Sequence, residues 1–170
     1  DHRDLHSFPT RRSSDLVRLA WFQTLYTNAN NDKHVLALGG RIGFGDGHRD
    51  TDSIPIFERF FAGGATSVRG FEFRTVGPRE TAPGRGDDPI GGQYMVLGTI
   101  EYSFPLYKDI LRMVVFSDAG NVLPKIRSSI FDTMRISVGF GFRLKVPMLG
   151  PRPFAFDFGF PVRKDRKSVV

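Results

Sequence analysis

The feature that most narrows what this chain can fold into is a period of two, held for about ten residues at a time and repeated along the sequence. From Arg135 to Val146, Ile136, Val138, Phe140, Phe142, Leu144 and Val146 alternate with Arg135, Ser137, Gly139, Gly141, Arg143 and Lys145. From Val35 to Phe44, Leu36, Leu38, Ile42 and Phe44 lie opposite Ala37, Gly39, Arg41 and Gly43. Phe154, Phe156, Phe158 and Phe160 lie opposite Ala155, Asp157 and Gly159, and between Gln93 and Phe104 the residues Tyr94, Val96, Ile100, Tyr102 and Phe104 face away from Gln93, Thr99, Glu101 and Ser103. Successive side chains of a strand point to opposite sides, so each segment reads as a strand with one apolar face. The second face mixes glycine with Arg, Asp and Glu, where a solvated sandwich would favour Lys, Glu and Thr. Strands this much longer than the usual five or six residues, apolar outside and polar inside, are those of a transmembrane β-barrel.

Composition supports an all-β chain. Phenylalanine dominates the aromatics, with 17 copies against 4 Tyr and 1 Trp, while 19 Gly and 11 Pro disfavour long helices. No apolar run is long enough for a spanning helix, so a membrane would be crossed by strands. Six strands are expected: Val17 to Tyr26, Val35 to Phe44, Gln93 to Phe104, Leu111 to Asn121, Arg135 to Val146 and Pro153 to Val162. The last four should form a consecutive antiparallel meander with Phe154 to Phe160 turned to lipid and Pro153 to Val162 as an unpaired edge. Trp21, Phe22, Tyr94, Tyr102 and Phe104 suit interfacial girdles. Phe104 to Asp109 and Val146 to Pro151 are short turns bearing proline, of the periplasmic kind. The stretch from about Asp46 to Gly91 is far longer than a hairpin loop, which makes it functional or disordered.

Inside that loop runs Phe60-Phe61-Ala62-Gly63-Gly64-Ala65-Thr66-Ser67-Val68-Arg69-Gly70-Phe71. A lone Arg, whose planar fork carries five donors, stands next to a glycine that lets backbone pass close to a wall, and this fits a loop tucked into a confined polar space. Phe60, Phe61, Gly63 and Gly64, together with Val68, Arg69, Gly70 and Phe71, resemble the signature loop of the BamA family of outer-membrane β-barrel assembly factors. The resemblance continues at Glu101 in the following strand, and at Phe116 and Asp118 in Val115-Phe116-Ser117-Asp118-Ala119-Gly120-Asn121. It implies that the loop folds back into the barrel, that Arg69 reaches Glu101 and Asp118, and that Phe71 lies near Phe116. It further implies six strands of a barrel that the family builds with about sixteen, a bacterial outer-membrane location, and a function in folding and inserting other outer-membrane proteins. The implied partners are outer-membrane lipid, unfolded client proteins and accessory lipoproteins. A TamA-like assembly factor or a two-partner secretion transporter shares the Arg-Gly-aromatic loop, and a passive porin-like barrel is the alternative of another class.

Other functions find little support. Lys and Arg are scattered despite the net charge of +6, so no nucleic-acid partner is expected. With no cysteine there is no thiol chemistry, and neither a metal nor a cofactor is expected. Gly43 to Gly47 lacks the Lys-Ser/Thr of a phosphate cradle, Asp46, Asp50 and Asp52 miss the spacing of a calcium loop, Arg85-Gly86-Asp87 carries no weight, and no Ser-His-Asp set assembles. No enzyme is expected. Residues 1–16 and 165–170 resemble translated adapter read-through and are set aside, which leaves 17–164 as the barrel part, with no signal peptide at its start.

Overall fold

The computed structural model describes residues 14–29, 31–45, 54–80, 87–108, 110–125, 133–146, 148 and 152–163. It holds six strands: β1 (Ser14–Thr27), β2 (Lys33–Gly45), β3 (Tyr94–Tyr107), β4 (Leu111–Leu123), β5 (Arg135–Leu144) and β6 (Phe154–Arg163). They form one antiparallel sheet in chain order, with β1 and β6 at its two ends. Among the described residues there is no α-helix, and the sheet does not close on itself. β1 begins three residues before the expected start, because Ser14, Asp15 and Leu16 pair with Gly45, Phe44 and Gly43. β3 likewise runs past Phe104, with an irregularity between Pro105 and Tyr107 opposite Arg112 and Leu111. A proline cannot donate to the ladder, and a bulge is where a strand tolerates one.

The register sorts side chains onto two faces. Facing partners such as Leu38 and Ile100, Val115 and Phe140, or Phe142 and Phe156 share the outer face, and β6 presents Phe154, Phe156, Phe158 and Phe160 there, each at least 44% exposed. No second sheet covers them among the described residues. The outer face also carries aromatic clusters at both ends of the strands. Tyr26, His34, Tyr102 and Phe104 gather near the short turns, with His34 Nδ1 and Tyr102 Oη hydrogen-bonded at 2.8 Å, and Phe44 meets Tyr94 edge-on at the other end. Trp21 lies opposite Leu38 on this face, whereas Phe22 pairs with Ala37 and so belongs to the inner face. The girdle expected of Phe22 is thereby corrected: one residue along a strand reverses the face.

The long loop lies on the inner face, against β2 to β6. Among its described residues it carries a 3-10 turn (Ile56–Glu58) and isolated bridges joining Phe60 to Gly92, Ala62 to Val76 and Arg79 to Pro89. Its Ala62, Val68 and Val76 are buried with Met95, Leu97 and Val122 of the sheet. The inner face is therefore apolar beneath the loop, a departure from the uniformly polar interior expected of it. The reason is that the loop itself, and not water, meets the wall there, and each fully buried Val contributes about 1.5–3 kcal/mol.

Candidate functional site

The site begins with how the loop turns. Gly63 and Gly64 have φ of 109° and 95°, and the tight course they allow is closed by Gly63 N donating to Ser67 Oγ at 2.8 Å and Gly64 N donating to Phe71 O at 3.0 Å. Phe60 anchors the lead-in by exchanging backbone hydrogen bonds with Gly92, and its ring lies where a side chain on Gly43 would stand. The Arg74 guanidinium covers the Phe61 ring, 4.5 Å from its centroid. Val68 is completely buried, within reach of the space left free by Gly120.

Arg69 follows, with its side chain directed into the sheet. Nε donates to Asp118 Oδ2 at 2.8 Å, Nη2 to Asp118 Oδ1 at 2.9 Å and Thr99 Oγ1 at 3.2 Å, and Nη1 to Glu101 Oε2 at 3.0 Å and Asp157 Oδ2 at 3.2 Å. All five donors of the fork are thus used. The Arg69 amide also donates to Asp118 Oδ2 at 3.0 Å, and Thr99 Oγ1 donates to Asp118 Oδ1, so the Asp118 carboxylate, 1% exposed, accepts four hydrogen bonds. The guanidinium carbon stands 3.4 Å from the centroid of the Phe116 ring. Burial works against the charge of Arg69, but the bonds to Asp118, then those to Glu101 and Asp157, outweigh it and hold the guanidinium protonated above the ordinary arginine value.

Strand register explains why these groups converge. Thr99 faces Asp118 and Glu101 faces Phe116 across β3 and β4, Gly139 of β5 faces Phe116, and Gly141 faces Asp157 across β5 and β6. Glycines on β5 leave room for these groups: the Phe116 ring lies against Gly139, and the Asp157 carboxylate and Arg143 guanidinium lie against Gly141. Gly70, at φ 87°, lets the loop backbone touch β6: a Cβ placed there would fall 2.7 Å from the carbonyl carbon of Gly159, and one on Gly159 would fall 2.6 Å from Gly70 N. The backbone contact needs glycine on both sides.

The structure brings Arg69 together with Glu101, Phe116 and Asp118. Phe71 packs on the cluster of Ala62, Val68, Val76, Met95, Leu97 and Val122, and the face of the Phe116 ring is covered by the Arg69 guanidinium. A flat, weakly hydrated guanidinium stacks on an aromatic face as well as a second ring would. Thr99, Arg143, Asp157 and Gly159 share the non-lipid face by their alternation in the sequence, which assigns none of them a role. Their signal was that parity, which selects a face but no neighbour. Arg41 and Arg135 also donate from the wall to the loop carbonyls of Thr66 and Thr75.

An antiparallel sheet with an apolar outside, two aromatic clusters and an inner loop locked to its wall is a transmembrane β-barrel segment of the outer-membrane type. The sequence pattern of the Omp85 superfamily domain matches residues 14–169, and the chain belongs to that superfamily. It is 36% identical over 115 residues to the outer membrane protein assembly factor BamA of Nitratidesulfovibrio vulgaris, covering 66% of this chain and 14% of that protein. It is 38% identical over 92 residues to BamA of Neisseria meningitidis serogroup B, covering 52% of this chain and 12% of that protein. A SAM50-like protein of Schizosaccharomyces pombe is 28% identical over 153 residues, covering 82% of this chain and 30% of its own length. The crystal structure of BamA from Haemophilus ducreyi lacking POTRA domains 1-3 superposes with a TM-score of 0.73 at 22% identity, covering 90% of this chain and 32% of that one. The chain thus spans about an eighth to a third of the proteins it matches.

Proposed function

We propose that this chain forms part of an outer-membrane assembly factor that folds and inserts other β-barrel proteins, and that Arg69 locks its signature loop inside the barrel. Its location is the bacterial outer membrane, with lipid against the outer face, unfolded barrel proteins as clients and accessory lipoproteins as companions. The observation that carries this reading is the full engagement of Arg69, through five side-chain hydrogen bonds, with the wall opposite the apolar face. The outer face has the dimensions of a bilayer. From His34 to Phe44 the strand climbs ten residues, about 33 Å at ~3.3 Å each, and a tilt of about 40° reduces this to the ~25 Å apolar band of outer-membrane barrels.

Insertion by such a protein needs no nucleotide, because a catalyst that lowers a kinetic barrier need not supply energy, and an open strand edge can template an incoming strand through backbone pairing. The role of the loop is to hold the wall in one arrangement while that edge works. In the full-length protein, Arg69→Ala is expected to slow insertion of client barrels into liposomes and to open the loop to protease, and Arg69→Lys to restore only part of the rate, since an ammonium lacks the planar fork. Normal insertion by the Arg69→Ala protein would overturn the reading.

A further inference from the structure

The loop anchor extends beyond Arg69 and its neighbours on β3 and β4. Arg143 of β5 forks onto Asp157 of β6, with Nη1 donating to Oδ1 and Nη2 to Oδ2, the latter at 3.2 Å, and the same Nη2 stands 3.7 Å from Glu101 Oε2. Those two oxygens, Glu101 Oε2 and Asp157 Oδ2, are the ones that Arg69 Nη1 binds from the other side. The four groups close a ring of alternating charge: Arg69, Asp157, Arg143, Glu101. Room for it exists because β5 has glycine at 141, where a Cβ would collide with Asp157 Oδ1 and lie 3.0 Å from Arg143 Nη1.

We propose that Arg143 is a positioning residue for the loop: it holds Glu101 and Asp157 in place for Arg69 and thereby ties the docked loop to β5 and β6. The physical need is specific. Two carboxylate oxygens that both accept from one nitrogen of Arg69 lie close enough to repel each other, and neither side chain is fully buried, so each can swing toward water. A second guanidinium bridging the same two oxygens removes the repulsion and fixes both rotamers. Asp118, already saturated by Arg69 and Thr99, has no need of it. When the loop leaves, Arg143 still neutralises Asp157 and Glu101, so the vacated wall keeps a counter-charge.

This inference rests on the reading of Arg69 as the loop's lock, and its test separates the two. The chain contains no cysteine, so in a full-length protein whose remaining sequence is also cleared of cysteine, Val68→Cys, buried when the loop is docked, reports undocking by its rate of maleimide labelling in detergent. Arg69→Ala should raise that rate, and no rise would sink the lock itself. Arg143→Gln should raise it about tenfold, Asp157→Asn by a similar factor, and the double variant by no more than either alone, since coupled neighbours are not additive. The exchange of Arg143→Asp with Asp157→Arg rebuilds a β5 to β6 pair but turns like charges toward Arg69 and Glu101, so labelling should stay fast. Unchanged labelling in Arg143→Gln and Asp157→Asn, additive effects, or full protection in the exchanged protein would each overturn the proposal, the last by showing that the pair only staples two strands.

Discussion

Arg69 illustrates what one residue can hold when its geometry is complete. Burying an ion pair gains little net free energy, because desolvation offsets most of the attraction, whereas removing one partner leaves an uncompensated charge at a cost of about 3–5 kcal/mol. The pairing with Asp118 therefore selects one loop position more than it stabilises the fold. Gly70 and Gly159 act differently, through backbone alone. Gly70→Ala combines a left-handed φ with a collision and is expected to destabilise the docked loop by about 1–3 kcal/mol. Gly159→Ala should undock the loop while leaving β6 intact, since β6 needs no special φ there and only the approach of Gly70 is lost. Protease sensitivity of the loop, read beside the far-ultraviolet circular dichroism of the strands, checks both: the first should rise and the second stay unchanged.

At the scale of the element, each strand serves two solvents. β6 sets Phe154, Phe156, Phe158 and Phe160 outward and Asp157 and Gly159 toward the loop, so its two faces are tested by different substitutions. Phe158→Arg places a charge near the middle of the apolar band and is expected to cost about 2–4 kcal/mol in lipid vesicles, while Phe158→Leu should cost less than about 1.5 kcal/mol. Urea titration of folding into vesicles measures both, and equal effects would contradict a lipid-facing Phe158. The loop is an element of a different kind. Among its described residues it has almost no regular structure, yet the apolar contacts of Ala62, Val68 and Val76 and the arginines around it make it part of the core.

For the whole molecule, the outer face decides the environment. Side chains such as Leu19, Trp21, Leu38, Ile100, Val138 and Phe140 are exposed together on one surface, a patch far too extensive for a protein that stays monomeric in water. Trp21 is the single tryptophan of the sequence and lies on that face, half exposed. Its fluorescence should be quenched by brominated lipid and barely by iodide in the surrounding water. The reverse result would place this face away from the bilayer.

Much of this architecture was legible in the residues. The period of two marked β2, β3, β5 and β6, and all six strands were expected within a few residues of their ends, because alternation between lipid and interior is a local constraint that a strand obeys along its length. The motif singled out Arg69, and parity put Glu101 and Asp118 on the inner side. Sequence could not rank the inner residues by proximity. Asp157 and Arg143 lie 88 and 74 positions beyond Arg69, and only the stagger of four neighbouring strands brings their side chains into one ring. The same holds for Phe71: its type and spacing were visible, but whether it or Arg69 covers Phe116 depends on how the loop turns at Gly63, Gly64 and Gly70. Strand faces follow from the sequence because they repeat locally, and the lock was decided by tertiary structure because its groups meet only once the sheet is paired and the loop has folded onto it.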